Sequence, residues 1–349
     1  MDMSESGYQV TKYIYANTDV LNQLFCEKPK DQGVWLGFIA VCTDPNEIRR
    51  LGRRDIVIAW RGTQTAEEWI QNLRDILVPT RLSYRCERTG KDQEHHFADG
   101  VLIERGFLSC YDSNVRHRQG AAGATVNIST RDLVVSEIKR LLQVYENEMD
   151  NLSITSTGHS LGAALATLSA YDIRKNLCTD HILVTVFAFA SPRVGNLGFA
   201  KRVKEIGVKV LRFVNKRDVV PRVPGLFMNE KMGCLAKLLH WLPWTYFHVG
   251  VELRLHKYPS IVQHTHNLAY NHNLELYLHL LDGNVGRNES FSSSGRDRAL
   301  INNRCDLLLE KDKIPRKWWQ QRNKGLVKGL DGKWKQPTKS EDQDDNPDE

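Results

Sequence analysis

Long hydrophobic runs are missing from this sequence. No stretch approaches the ~18 continuous apolar residues a membrane-crossing helix needs, so no such span is predicted. Metal-ligand spacing is missing as well. The seven cysteines, at positions 26, 42, 86, 110, 178, 234 and 305, are scattered, odd in number and never paired as C-x-x-C. That pattern argues for reduced thiols in a reducing compartment and against a disulfide framework or a zinc site. The opening residues, MDMSESGYQV, hold neither an apolar signal core nor an Arg/Ser-rich transit segment, so as written the chain carries no address. Internal repeats are absent. The net charge of +6 is mild; it permits contact with an anionic membrane surface and calls for no nucleic acid. What is present is ordinary for a globular protein: 349 residues, 41% hydrophobic and 26% charged, enough for one large domain or two small ones.

The informative stretch is Ser153-Ile-Thr-Ser-Thr-Gly158-His159-Ser160-Leu161-Gly162-Ala163-Ala164-Leu-Ala166. A short β-branched strand runs into Gly-x-Ser-x-Gly and then into a helix of small, apolar residues. That order suits a nucleophile elbow, in which a sharp turn pushes the Ser160 hydroxyl out above a sheet. Glycines at 158 and 162 let strand and helix close on each other, and the helix start offers backbone N–H groups, that of Leu161 among them, to developing negative charge. The plainer alternative is an ordinary Gly/Ser turn, since the five-residue pattern recurs by chance.

The rest of the chain reads as strands alternating with helices. Residues 1–30 form an N-terminal arm with Tyr8, Tyr13, Ile14 and Tyr15 for packing. Residues 34–41 and 55–60 read as strands joined through a turn at 51–54, a hairpin at the edge of a sheet. Further strands are expected at 182–189 and 208–214, a helix from Phe199 to Ile206 between them, a long helix from Thr130 capped by Ser129 or Thr130, and a closing helix at 273–281. The alternation indicates βαβ units and a largely parallel sheet with helices on both faces, an α/β fold. Residues 31–285 read as the catalytic domain and 286–337 as an appendage anchored by Trp318, Trp319 and Trp334. The tail from 338 is acidic and expected to be disordered. Residues 112–130, rich in Gly, Ala and Ser, read as a mobile loop.

Between these elements, Trp69, Ile70, Leu73, Ile76 and Leu77 fall at helical spacing on one face, with Glu67, Glu68, Gln71 and Arg74 opposite. A plain amphipathic surface helix is one reading. A lid that hides its apolar face when closed and shows it to lipid when open is the other.

A serine hydroxyl needs a base, and the base needs an acid that fixes its tautomer. After an elbow serine the chain order should be acid, then histidine. Asp218 lies four residues past the 208–214 strand in a Pro-bounded turn and meets that demand, or it merely caps the turn. Asp172, on the elbow helix, and Asp180, before a strand, are its rivals. A loop next to the closing helix leaves His264, His266 and His272, of which His272 sits at that helix's first turn. His279, inside the helix, suits a structural role.

Trp60-Arg-Gly-Thr63, Gly106-Phe-Leu, Thr157-Gly-His-Ser-Leu-Gly-Ala-Ala-Leu-Ala166, Ser191-Pro-Arg-Val-Gly195 and Asn215-Lys-Arg-Asp-Val-Val-Pro221 together resemble the class 3 (fungal-type) lipase family. Gly52-Arg-Arg-Asp-Ile-Val-Ile-Ala-Trp60, His248-Val-Gly250, Leu278-His-Leu-Leu-Asp-Gly283 and the Trp-bearing C-terminal pattern are similar to its plant phospholipase A1 subfamily, related to the anther-dehiscence lipase. The resemblance runs over nearly the whole chain. It implies an α/β-hydrolase fold, with Ser160 as nucleophile, Asp218 as acid and His272, in His272-Asn-Leu-Glu275, as base. It further implies Thr63 as an oxyanion donor beside the Leu161 N–H, and a lid just after Thr63. The implied activity is acyl-ester hydrolysis of membrane glycerolipids at the sn-1 position, phosphatidylcholine and possible galactolipids included, with no cofactor, no metal and no stable protein partner. A lipase for tri- or monoacylglycerol and a silent, lipase-like interaction module are the alternatives. Plastid-targeted members carry a transit peptide and helical region before the Gly7-Tyr-Gln-Val10 motif, so the chain reads as shortened. Family resemblance implies the chloroplast, with the cytosol as alternative. Residues 112–130 are longer and richer in Gly and Ala than the family pattern.

Overall fold

A computed structural model of the chain describes residues 6–16, 34–62, 76–79, 100–112, 114–119, 124–177, 181–225, 245–255, 267–283 and 296–303, with pieces at 308, 327–328, 330 and 334–335. Two compact units emerge, one of Met1–Val214 with Asp218–Arg254 and the other of Asn215–Arg217 with Leu255–Glu349.

In the first unit, β1 (Tyr8–Ala16) pairs antiparallel with β2 (Val34–Cys42), and β2 pairs antiparallel with β3 (Arg54–Trp60). The 34–41 and 55–60 strands therefore do pair, but not at the sheet edge. The arm supplies the edge strand, and the connection is a helix, α1 (Pro45–Leu51), rather than a bare turn. Its start is set by the Asp44 side chain accepting from the Asn46 N–H, with Pro45 pre-organised for the first turn, and its end by Gly52 at φ 70.

Next come the short antiparallel pair β4 (Leu77–Pro79) and β5 (Leu102–Glu104), with helix α2 (Arg105–Tyr111) after β5. Residues 112–130 are not a plain loop: β6 (Asn114–Gln119) and β7 (Ala124–Ser129) form a two-stranded antiparallel ribbon. The β-branched Thr125, Val126 and Ile128 favour extended backbone there despite the Gly/Ala-rich connection. Helix α3 (Thr130–Val144) starts at Ser129, whose hydroxyl accepts from the Asp132 N–H, and buries Leu133, Val134, Ile138 and Leu141, as its spacing predicts.

Strand β8 (Leu152–His159), helix α4 (Leu161–Asn176), strand β9 (Leu183–Phe189), helix α5 (Leu197–Glu205), strand β10 (Lys209–Asn215) and strand β11 (Val251–Leu255) complete the frame. The seven-stranded sheet runs β1-β2-β3-β8-β9-β10-β11, with β3, β8, β9 and β10 mutually parallel. The α/β architecture is the expected one. Helix α4 is buried almost throughout because alanines at 163, 164, 166 and 170 let its backbone approach the sheet. A buried polar cluster ties it to its neighbours: Asp172 takes two hydrogen bonds from Arg131, at 2.8 and 2.9 Å, one from the Tyr111 hydroxyl and one from Asn176.

The second unit contains helices α6 (Leu268–Asn271) and α7 (Leu274–Asp282), a 3-10 turn at Arg298–Asn303, and the two-residue strands β12 (Val327–Lys328) and β13 (Trp334–Lys335). Asn273 caps α7 by accepting from the Glu275 N–H, and its amide reaches the Ile301 carbonyl. The amide of Asn215 donates to the Asn271 carbonyl at 2.8 Å, fixing the end of α6. No described helix is long and apolar enough to cross a membrane.

Candidate active site

The turn between β8 and α4 has the elbow geometry. Ser160 sits at φ 60 and ψ −125, a conformation that costs an ordinary L-residue of order 1–3 kcal/mol and persists only where packing enforces it. The enforcement is visible. A Cβ on Gly158 would lie 2.3 Å from the backbone of Gly162, and one on Gly162 would lie 2.5 Å from the Trp60 carbonyl oxygen. The Ser160 N–H is held by the Phe189 carbonyl at 2.9 Å, which ties the elbow to the end of β9. Ala190, next along, is the other non-glycine residue at positive φ (51°) among those described, and its N–H is held by the Phe213 carbonyl of β10. Strain is thus concentrated along the C-terminal edge of the parallel strands.

Ser160 itself is 1% exposed, and its Oγ has no hydrogen-bond partner among the described residues. Leu161, the first residue of α4, is equally buried. The first-turn N–H groups of a helix have no partner within it and lie at the positive end of its dipole, so this end favours an oxyanion. Trp60, Arg61 and Gly62 run alongside: a Cβ on Gly62 would lie 2.5 Å from the His159 carbonyl oxygen. Thr63 follows Gly62 but lies outside the described residues, as do Trp69, Ile70 and Leu73. Ile76 is 39% exposed. Leu77 departs from the helical expectation: it is buried in β4, opposite Glu104, because cross-strand pairing with β5 overrides the helical spacing.

Asp218 is buried, three residues beyond the end of β10, and its Oδ1 accepts from the Val220 N–H at 2.9 Å. Strand ends two places apart in a sheet lie about 10 Å from each other, so β8 and β10 bring Ser160 and Asp218 to the same edge. Its rival Asp172 is committed to Arg131, Tyr111 and Asn176, and Asp180 lies outside the described residues. His272 belongs to the second unit, in the turn between α6 and the Asn273 cap of α7, and is 5% exposed. His279 is buried within α7, while His264 and His266 lie outside the described residues.

Two residues gain importance that spacing did not give them. Arg193 donates to the carbonyls of Arg222 and Pro224, on the turn that follows Asp218. His248 lies beside the same turn, near Pro221, and burial together with the nearby Arg212 and Arg193 cations holds its pKa well below the usual histidine value. Both lay in quoted motifs, but an arginine whose acceptors are backbone carbonyls leaves no mark in the sequence of those acceptors.

A family model described as Lipase (class 3) matches residues 57–228, a stretch that includes Ser160 and Asp218. Phospholipase A1-Igamma2, chloroplastic, of Arabidopsis thaliana is 42% identical over 96% of this chain and 63% of its own length. Galactolipase DONGLE, chloroplastic, of the same plant is 41% identical over 79% of this chain and 55% of its own. Phospholipase A1-II 6 of Oryza sativa subsp. japonica is 35% identical over 97% of this chain and 79% of its own. The chain spans just under two thirds of the length of the first of these relatives.

Proposed function

The chain belongs to the class 3 lipase family, and from that premise we propose that it is a serine acyl-ester hydrolase of glycerolipids, of the phospholipase A1 type. The observation that carries the proposal is the Ser160 elbow: a strained, tightly enclosed serine at a helix N-terminus, with a hydroxyl that no described side chain engages.

In this reading Ser160 attacks the ester carbonyl while His272 takes its proton. The Leu161 N–H and Thr63 hold the oxyanion, and Asp218 keeps the imidazole in the tautomer whose Nε2 can accept. The imidazolium returns the proton to the leaving lysolipid oxygen. Water, activated by the same histidine, then releases the fatty acid and regenerates the serine. Motif order supports the assignment of His272: of the histidines near the closing helix, it alone directly precedes the α7 cap.

The relatives' names support a membrane glycerolipid as substrate, phosphatidylcholine or galactolipid, and the chloroplast as the site of action. Contact with the membrane is transient, and the apolar residues Trp69, Ile70, Leu73 and Ile76 are assigned to a lid that opens on it. A panel of vesicle-borne phosphatidylcholine, monogalactosyldiacylglycerol and triacylglycerol, with the acyl position of each released fatty acid identified, tests the reading. Preferential sn-1 release from the polar lipids supports it. Preference for triacylglycerol would replace it with a neutral-lipid lipase, and absence of turnover on all three would favour a non-catalytic module.

A further inference from the structure

Beyond the triad, the geometry points to Arg193 as a clamp that positions the catalytic acid, acting on the main chain of the Asp218 turn rather than on the carboxylate. The inference rests on the proposed role of Asp218 as the acid of the triad.

The turn after Asp218 presents three consecutive carbonyls, Arg222 to Pro224, and each is held from outside it by Arg193. One terminal nitrogen of Arg193, Nη1, donates to Arg222 and to Pro224, the latter at 2.9 Å, and the backbone N–H of Arg193 donates to Val223 at 2.9 Å. Within the turn, Arg222 and Val223 donate back to Val219 and Val220, and Val220 donates to the Asp218 carboxylate. The position of that carboxylate is therefore linked through a short, internally hydrogen-bonded piece of chain whose outer surface is gripped by Arg193.

Arg193 stands on a fixed support. Arg193 lies in a segment whose neighbours are pinned on two sides: Val194 accepts from the Glu104 N–H at 2.9 Å, and Gly195 accepts from the Phe247 N–H at 2.8 Å.

A guanidinium is suited to this task because its planar fork offers several donors at fixed angles. Arg193 is 7% exposed, and its guanidinium is buried against the segment that begins at Asp218.

The test compares Arg193→Met and Arg193→Lys with the native chain. Competent sites are counted by fluorophosphonate titration, so that kcat is expressed per titrated serine. Arg193→Met is expected to lower kcat per site by roughly 30-fold or more, with KM within about 2-fold. A loosened carboxylate supports the imidazolium less, which lowers the pKa of the base. The acid limb of the pH–kcat/KM profile should therefore move to lower pH. Arg193→Lys, which keeps a cationic donor at this position, should recover to within about 10-fold of native. The clamp is overturned if kcat per site and the acid limb stay native, or if activity falls only through fewer titratable sites. Loss of all titratable sites in both Arg193→Met and Arg193→Lys would assign a purely structural role and overturn it too. Those results leave Ser160 hydrolysis standing, whereas an active Ser160→Ala protein would remove the premise instead.

Discussion

Gly162 faces the Trp60 carbonyl so closely that a Cβ on it would come within 2.5 Å of that oxygen. This contact welds the start of α4 to the end of β3, and it reverses the usual effect of glycine in a helix. Exchange of glycine for alanine in a helix normally gains about 1 kcal/mol. Here the obstructing atoms are backbone and cannot move aside. Gly162→Ala and Gly158→Ala should each lower stability by at least about 2 kcal/mol in urea unfolding and reduce labelling of Ser160. Gly52→Ala, at φ 70 with nothing within 4 Å of the new Cβ, should cost about 1 kcal/mol and leave labelling intact.

Asp172 and Asp218, both buried, should separate by their effects. Asp172→Asn weakens its pairing with the buried Arg131, so the variant should lose about 3–5 kcal/mol of stability while keeping native kcat per folded molecule. Asp218→Asn should do the reverse, with kcat down about 10⁴-fold and an unfolding midpoint near native. Paired denaturation and kinetic measurements decide it, and matching losses of kcat would void the distinction.

Among the histidines, His272→Ala should reduce kcat by about 10³-fold or more, and His266→Ala should stay within about 2-fold. Steady-state kinetics on a soluble ester are sufficient. Equal losses would remove His272 from the role of base.

Asp55 provides a pH signature for the fold. It is buried at the start of β3, accepts from Ser153 at 2.5 Å and Thr155 at 3.0 Å, and burial raises its pKa above the ordinary carboxylate value. A carboxyl whose folded pKa is raised favours the folded state in its protonated form. Its stabilisation is present at low pH and is lost as pH rises through that folded pKa. Asp55→Asn removes this proton uptake, so the stability advantage of native over variant should widen as pH falls from about 7 to about 4.5. Urea unfolding of both proteins at the two pH values measures it, and a gap that narrows on acidification contradicts the assignment.

The parts of this molecule that sequence made legible are those governed by short-range sterics. Gly158 and Gly162 announce the elbow around Ser160 because no residue with a Cβ lets the strand close on the helix so tightly. Ser129 announces α3 because an N-cap hydroxyl acts within three residues. The order Ser160, Asp218, His272 is likewise a property of the chain. What escaped is set by distant partners. The arm became edge strand β1 only by pairing with β2, the Gly/Ala-rich stretch became a ribbon only by pairing across itself, and Leu77 left its helical face for a place opposite Glu104. Arg193 escaped for a related reason, since it binds carbonyls that every residue possesses.

The central claim is that Ser160 performs covalent hydrolysis of a glycerolipid ester. It is tested most directly by assaying purified native and Ser160→Ala proteins side by side for fatty-acid release from phosphatidylcholine vesicles, with fluorophosphonate labelling of the same samples. The account predicts labelling of the native protein at Ser160, and in Ser160→Ala no label and at least a ~10³-fold loss of hydrolysis with an unaltered unfolding curve. Hydrolysis by Ser160→Ala at the native rate, or a folded native protein that neither labels nor releases fatty acid, would contradict it.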